Sequence, residues 1–395
     1  MVSVRGERDE YLTVLDQYDV PADAVGASVS YTHDLGNIHY MTGLDLRNIN
    51  GSVNERTRNL GDGFTRTRHS GGEQDMYGAF IGLDAEVSEQ TTLAASFRLD
   101  QIEYKNGSRI ETNIADNSNY RTDIHADRDE LEHSINLSAN HQFSETIEGR
   151  LVAFTGFRAP TLNELYRPYR VKDDIVECNA DLTPERFNGI EANLKYSDED
   201  EKVTLKLNVF HYKLDDLIAN AWLHNNPGPD DLVGFVPPGG SASQRRNIEE
   251  TTSTGVEIES NLELTNFVSL DFKYTYTQSE IQSNDVNPIF NGKDLPQSPR
   301  NRGYAQVNWT PSDKTRLWAR VSSYDEQYED LNNARRIEGA TTIDLGVSTQ
   351  LDENNTLSLR VENLTDEIIE TGLATSGLIS TGVERSAWVQ WDLKI

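Results

Sequence analysis

From residue 73 onward, most of the chain consists of segments in which apolar and polar residues alternate strictly. Within each segment the apolar residues occupy positions of one parity, and the positions between them are largely charged or amidic. Representative apolar rows are Tyr77, Ala79, Ile81, Leu83 and Ala85; Ile135, Leu137 and Ala139; Ile190, Ala192, Leu194 and Tyr196; and Val203, Leu205, Leu207 and Val209. A period of two is typical of β-strands with one apolar face, and no segment shows the 3.6-residue period of an amphipathic helix. The pattern predicts an all-β chain.

The connections between these segments alternate in length. Short turns are predicted at 34–37, 144–146, 197–202, 311–314 and 352–355, and long polar loops near 50–72, 105–130, 159–187, 222–243, 282–297, 325–337 and 365–382. This alternation is typical of transmembrane barrels, which have periplasmic turns and longer extracellular loops. We therefore predict a transmembrane antiparallel up-and-down β-barrel of about sixteen strands in a bacterial outer membrane. A soluble propeller or sandwich is the alternative, and it leaves the one-sided placement of long loops unexplained.

Composition narrows the class of protein further. Only 36% of residues are hydrophobic, and no stretch approaches the roughly 20 apolar residues of a membrane-spanning helix. The formal charge of -29 argues against a nucleic-acid partner, because phosphate binding requires an excess of Lys and Arg. Residues 1–16 lack the apolar core of a secretory signal, so we expect no signal peptide in this chain.

The last segment alternates up to the final residue, with Ala387, Val389, Trp391, Leu393 and Ile395 on one face. It resembles the terminal strand that the barrel-assembly machinery recognises, although Ile395 replaces the usual final aromatic residue. We therefore expect this machinery and outer-membrane lipid as partners.

Five short motifs occur in a fixed order along the chain. The first is a box of Phe157, Arg158, Ala159, Pro160 and Thr161, and the second contains Asn179, Leu182, Pro184 and Glu185. The others are Asn247 with Gly255-Val256-Glu257, then Pro299-Arg300-Asn301, then Val361-Glu362-Asn363-Leu364. Together they resemble the barrels of TonB-dependent outer-membrane receptors.

The resemblance implies a 22-strand barrel plugged by an N-terminal domain. Residues 1–395 contain no plug domain and too few strands, so we expect a partial barrel domain. Contact with the TonB energy-coupling complex is expected through an N-terminal region that this chain lacks. The implied function is a receptor that binds a scarce small-molecule chelate, such as a metal–siderophore complex, for TonB-energised uptake. A passive porin-like channel is the alternative, and no catalytic constellation suggests an enzyme.

Ligand-binding residues are sought in the loop after the first box, where Tyr166, Arg167, Tyr169 and Arg170 could hold an anionic chelate. The alternative is that they pack the loop against the barrel wall. Haem is disfavoured because no histidine lies between Thr161 and Asn179, and the single cysteine, Cys178, is more simply an inert side chain. No cofactor is expected.

For two sets of charged residues we favour a structural role over metal or ligand binding. Asp123, His125, Asp127 and Asp129 are interpreted as a solvated acidic loop, because they lack the spacing of a metal site. Inward-facing charges are expected to pair across neighbouring strands; these are Arg98, Arg150, Arg158, Arg316, Arg320, Asp100, Asp271 and Glu257. If strands are missing from the barrel, a gap or a forced seam should lie between the first and last strands.

Overall fold

The computed structural model describes residues 2–7, 10–57, 63–171, 174–283, 288–373 and 377–394. Ile395, predicted to end the last strand, lies outside these residues. Twenty strands join in one sheet, and three short hairpins stand apart from it. Across the described residues, no helix has the length and apolar character needed to cross a membrane.

The first half of the chain supplies β1 (Val2–Glu7), β2 (Glu10–Asp19), β3 (Ala22–Leu35), β4 (Ile38–Thr57), β5 (Arg66–Ser88), β6 (Thr91–Asn113), β7 (Asn119–Ile124), β8 (Arg128–Ser144), β9 (Ile147–Arg158), helix α1 (Leu162–Tyr166), β10 (Tyr169–Val171), β11 (Asp174–Glu177) and β12 (Glu185–Ser197). The second half supplies β13 (Val203–His224), β14 (Gly228–Asp230), β15 (Gly234–Val236), β16 (Ala242–Thr265), β17 (Val268–Ser283), a 3-10 turn (Pro288–Phe290), β18 (Asn301–Ser312), β19 (Thr315–Tyr324), β20 (Gln327–Tyr328), β21 (Arg336–Ile337), β22 (Ala340–Gln350), β23 (Asn355–Glu362), β24 (Glu370–Leu373), β25 (Ile379–Thr381) and β26 (Ser386–Leu393).

The wall of the sheet is built by consecutive antiparallel neighbours. β2 and β3 pair with successive parts of β4, so they act as one long strand that is interrupted at Val20 and Pro21. The wall then follows in the order β4, β5, β6, β8, β9, β12, β13, β16, β17, β18, β19, β22, β23 and β26. β1 pairs with β2 beside the outer part of the wall. Fifteen wall strands and β1 agree with the predicted count of about sixteen.

The two faces of the wall differ as the alternation predicted. The apolar row of each strand is exposed on the outer face; Leu137 is 51% exposed and Ile190 is 48% exposed. No second sheet covers these side chains within the described residues, which excludes the sandwich alternative. The all-β barrel-wall prediction is confirmed.

Polar side chains of the inner face pair with one another. Arg98 forms ion pairs with Asp45 at 2.6 Å and with Asp100 at 2.5 Å. Asp271 accepts hydrogen bonds from Asn261 and Asn308. Paired groups of this kind satisfy their hydrogen-bonding capacity across neighbouring strands.

The predicted loop boundaries near 50–72 and 105–130 were wrong, because β4, β5 and β6 continue far into both ranges. Polarity alternates only where one face meets hydrocarbon. Beyond the membrane both faces of a strand are polar, so the period-two signal disappears while the strand continues.

The sheet has two free edges. Among the described residues, β3 pairs only with β4, and β26 pairs only with β23. Both strands run from the long-loop side to the short-turn side, so direct closure would need a parallel pair in an otherwise antiparallel wall. Within the part of the chain that the structure describes, the first and last wall strands are therefore not paired with each other, as the anticipated gap requires.

The assignment of faces makes a direct prediction for β8. Arginine at Leu137, on the outer face, should lower the free energy of unfolding in phospholipid vesicles by about 2–4 kcal/mol, because a charge would enter hydrocarbon. Arginine at the neighbouring inner-face residue, Ser138, is the matched control and should cost far less. Equal losses in urea titrations of the two variants would refute the assignment.

Candidate functional site

Residues 159–184, which we call the crossing segment, bridge separate parts of the wall at its outer end. Helix α1 packs against β5 and β6. Strand β11 then pairs in parallel with the outer end of β16. Four wall strands lie between β6 and β16, so the segment passes over a wide arc of the inner face.

The first motif encodes the start of α1. The hydroxyl of Thr161 accepts a hydrogen bond from the backbone N–H of Glu164 at 3.2 Å, and the Glu164 carboxylate accepts one from the Thr161 N–H at 2.8 Å. This reciprocal capping box satisfies N–H groups that the first helical turn leaves unpaired. A helix of a single turn is thus fixed in place by two side chains.

Arg158 connects the two ends of the crossing segment. Its guanidinium pairs with Glu185 at 2.5 Å and with Glu164 at 2.9 Å. Burial alone would raise the pKa of Glu164, but the hydrogen bonds from Arg158 and Thr161 outweigh it and lower that pKa below its ordinary value. Because Arg158 ends β9 and Glu185 begins β12, one side chain holds the exit, the return and the helix together. We call Arg158, Glu164 and Glu185 the clamp.

The second motif is held by amide groups. The Asn247 side chain accepts from the Thr183 N–H at 3.1 Å and donates to the Thr183 carbonyl at 3.0 Å. The backbone N–H of Asn179 donates to the Glu164 carbonyl at 3.2 Å. Leu182 is fully buried between these contacts, beside Tyr104 and Leu165. The motif therefore docks the returning chain onto α1 and the wall.

Tyr166 is 3% exposed and lies on two glycines of the wall. A Cβ added at Gly72 would come within 2.6 Å of the Tyr166 ring, and one at Gly107 within 2.4 Å. The wall thus lacks side chains where the ring lies. His125 stacks on the other part of the ring, with centroids 5.4 Å apart.

A buried ionic network lies under the crossing segment. Five arginines and four carboxylates take part, and the links between wall and segment are Arg167 to Glu55 at 2.9 Å and Arg109 to Glu177 at 2.5 Å. The remaining members are Arg66, Arg68, Glu111, Arg121 and Asp123. Removal of one partner from such a buried network leaves an uncompensated charge, so its members hold the segment strongly in place.

Tyr169 and Arg170 are only partly buried. The Tyr169 hydroxyl accepts a hydrogen bond from Asn220 at 2.8 Å, and Arg245 lies 5.1 Å from the centroid of the Tyr169 ring. Arg245 also donates to the backbone carbonyls of Asn163 and Arg167. Arg170 donates to the carbonyl of Phe235 at 2.9 Å.

The four residues selected from the sequence thus divide into two pairs. Tyr166 is buried and Arg167 partly buried in contacts between segment and wall, whereas Tyr169 and Arg170 are partly buried beside Asn220, Arg245 and Phe235. A role in ligand binding stays a prediction for all four. The sequence reasoning missed the partners Glu55, Arg109, Glu177, Asn220 and Arg245. Alternating charges at inward positions of the outer strand ends, as in Arg109 and Glu111, are the signal that could have indicated them.

The carboxylates of the acidic loop near residue 125 already have partners within the protein. Asp123 pairs with Arg121 at 2.6 Å, Asp127 accepts from the Asn106 N–H at 3.0 Å, and Asp129 accepts from Gln101 at 2.9 Å. No group of three potential metal ligands occurs among the residues that the structure describes.

Asn363, in the last motif, adopts a φ of 51° directly after β23. Its backbone N–H donates to Asp344 at 2.8 Å, and its side chain exchanges two hydrogen bonds with the backbone of Glu367. The N–H of the following residue, Leu364, donates to the Ile343 carbonyl. Asparagine tolerates this left-handed conformation better than most residues, so the motif encodes a turn.

Cys178 is buried beside Glu177. Burial, together with that neighbouring carboxylate, raises the pKa of the thiol to about 12. The thiol is therefore protonated at neutral pH, which disfavours thiolate ligation of iron.

Comparison with known proteins shows which family and which solved structures this architecture resembles. The family model described as "TonB dependent receptor-like, beta-barrel" matches residues 3–364. The iron-regulated outer membrane virulence protein of Vibrio cholerae is 29% identical over 248 residues, which cover 60% of this chain and 36% of that protein. The ferric yersiniabactin uptake receptor of Yersinia pestis has a TM-score of 0.71 at 15% identity, covering 95% of this chain and 54% of that one. The copper transporter OprC gives 0.74 at 15% identity, covering 95% and 57%.

The fold defines the wall of an outer-membrane β-barrel. Within that class, the chain belongs to the TonB-dependent receptor-like β-barrel family. It spans about a third of the length of the Vibrio protein and about half of the two solved structures.

The clamp predicts a local change in dynamics. Replacement of Arg158 by Gln should speed hydrogen exchange of the α1 amides about 10- to 100-fold, since hydrogen bonds to charged groups contribute roughly 1.5–3 kcal/mol. Arg150→Gln, also on β9 and inward-facing, is the control. Identical exchange in both variants would show that the clamp does not hold the helix.

The raised pKa of the Cys178 thiol predicts that the stability of the protein depends on pH. Between the ordinary thiol pKa of about 8.5 and the folded value near 12, the unfolded chain loses this proton while the folded chain keeps it, so stability should fall as pH rises through this range. Cys178→Ser should remove that part of the pH dependence. Alkylation of the folded protein should be slow at neutral pH, and rapid labelling without unfolding would contradict the assignment.

Proposed function

We propose that this chain forms the wall and outer mouth of a receptor that captures a scarce, anionic metal chelate at the cell surface for TonB-energised uptake. The observation that carries the proposal is the crossing segment, which arginines of the wall and of the segment itself dock across the outer end of the inner face. The buried network beneath it holds five arginines, one from the segment and four from β5, β6 and β7, against four carboxylates, in a chain whose formal charge is -29. The network therefore fixes the crossing segment at the mouth, where it lies next to Arg245 and includes Tyr169.

Arg245 and Tyr169 are the groups best suited to contact such a ligand. Among the described residues, no carboxylate lies within 4.0 Å of the Arg245 guanidinium, which contacts backbone carbonyls and the Tyr169 ring. Arg170 lies on the same short strand as Tyr169. Guanidinium groups bind oxyanions through two parallel hydrogen bonds, and phenol rings stack on flat chelators.

The alternative of a passive porin-like channel is less well supported. An open channel needs a clear lumen, whereas the crossing segment bridges the inner face on a buried network. The named similar proteins are an iron-regulated virulence protein, a ferric yersiniabactin receptor and a copper transporter. Their names favour a metal chelate as the ligand of this chain.

We also propose that the wall is completed by strands outside residues 1–395. The strands β3 and β26 run in the same direction, and the outer edge of each lacks a partner among the described residues. Further strands are expected there because unpaired backbone groups are costly in hydrocarbon. The family resemblance implies that the plug and the TonB-contacting segment lie there as well. Barrel-assembly machinery and lipid are the proposed partners of the terminal strand and the outer face.

The receptor proposal is tested with cells that produce the intact gene product under iron limitation. Ferric catecholate, ferric hydroxamate, ferric citrate and copper chelates are each offered, and one class should bind at nanomolar to micromolar concentration. Arg245→Gln should weaken that binding about tenfold or more, because it removes a charge-assisted contact. Arg300→Gln is the control, since Arg300 is already paired with Asp294 at 2.9 Å.

Planar-bilayer recordings separate the two functions. The receptor should give a closed barrel without added ligand. A steadily open conductance, combined with no binding of any chelate, would favour the porin-like channel.

A further inference from the structure

A second charged and aromatic surface lies on the inner wall, on the short-turn half of the sheet. Arg316, Trp318 and Arg320 alternate along β19, and they face inward because Leu317, Ala319 and Val321 form the outer row. These three side chains line a cavity of about 560 Å³. The cavity also reaches the turn residues Asp313 and Lys314, far from the crossing segment.

Trp318 is positioned by a glycine on the neighbouring strand. Gly346 lies directly opposite it in register on β22. A Cβ at Gly346 would come within 2.3 Å of the indole ring, so the ring occupies the space that any other residue would fill. The indole is thereby held against the wall, with the Arg320 guanidinium 6.0 Å from its ring centroid, and it remains partly exposed.

Arg316 and Arg320 hydrogen-bond to amide groups, unlike the cations of the inner face that pair with carboxylates. Arg316 donates to the amide oxygen of Asn308 at 2.9 Å, and Arg320 donates to that of Gln306 at 2.8 Å. Neither has a carboxylate within 4.0 Å among the described residues. Arg98 and Lys273, by contrast, both form close ion pairs.

The carboxylates that line the cavity bind groups other than Arg316 and Arg320. Asp344 lies opposite Arg320 in register, yet it accepts a hydrogen bond from the Asn363 N–H at 2.8 Å. Glu362 pairs with Arg360 at 3.3 Å and accepts from the Trp388 indole at 3.0 Å. The charges of Arg316 and Arg320 are therefore only distantly compensated.

We propose that Arg316, Trp318 and Arg320 form a binding site for a planar aromatic anion on the inner wall. Residues i and i+2 of a strand are about 6.6 Å apart, so each guanidinium stands within reach of a group stacked on the indole. The indole supplies a flat apolar platform, and the guanidiniums bind carboxylate, phenolate or sulfonate oxygens. If the chain works as the receptor proposed above, this site is a second station on the short-turn side, but binding here does not require uptake.

The test uses the full chain in detergent micelles, with pyrenetetrasulfonate as the planar anionic probe and the fluorescence anisotropy of the probe as the readout. Arg320→Gln and Arg316→Gln should each weaken binding about tenfold, and Trp318→Leu should weaken it while leaving the charge unchanged. Lys273→Gln is the matched control, because it removes one inward-facing, ion-paired charge from β17. Circular dichroism confirms that each variant retains its strands.

The outcomes separate this site from the outer mouth. Equal affinities in Arg320→Gln and Lys273→Gln would overturn the proposal, as would displacement of the probe by inorganic phosphate at matched charge concentration. Unchanged chelate binding at the mouth, with probe binding weakened about tenfold in Arg320→Gln, is the expected result. Loss of chelate binding in Arg245→Gln tests the receptor proposal alone.

Discussion

The backbone of a membrane-crossing segment must satisfy every N–H and C=O group without water, and the rest of this structure depends on that constraint. It makes the chain a continuous antiparallel ladder, in which a strand pairs on both sides and exposes apolar side chains to lipid. The same constraint explains why the free edges of β3 and β26 are important. A ladder that ends in hydrocarbon needs a further partner, whatever supplies it.

A polar interior is the second consequence of the same constraint. Once apolar residues are committed to the outer face, charged and amidic residues must share the inner face and find partners there. Most do so by pairing, as Arg98 does with Asp45 and Asp100. Function can arise where this pairing is diverted to a loop or left incomplete. The crossing segment docks on the wall through Arg109 and Glu55, whereas Arg316 and Arg320 donate to amides and have no carboxylate within 4.0 Å among the described residues.

Much of this fold could be predicted from the sequence, because lipid imposes a period of two on every crossing strand. The family boxes were also visible, and the structure gives them physical roles: Thr161 caps α1, Arg158 and Glu185 clamp the segment, and Asn363 turns the chain. The site could be predicted only in part. Contacts such as Glu55 with Arg167, 112 residues apart, depend on the path of the loop, which no local pattern specifies. Strand ends beyond the membrane were missed for the same reason, since nothing there forces polarity to alternate.

The barrel wall requires that one particular face of each strand meets lipid. The most direct measurement is a nitroxide scan along β13 in the membrane, in which the accessibility of each labelled position to oxygen and to a water-soluble nickel complex is compared. Oxygen accessibility should peak at residues 205, 207 and 209, and nickel accessibility at residues 204, 206 and 208, with a period of two and opposite phase. Labels at both sets that were shielded from oxygen and nickel alike would show a buried sheet and contradict the barrel wall.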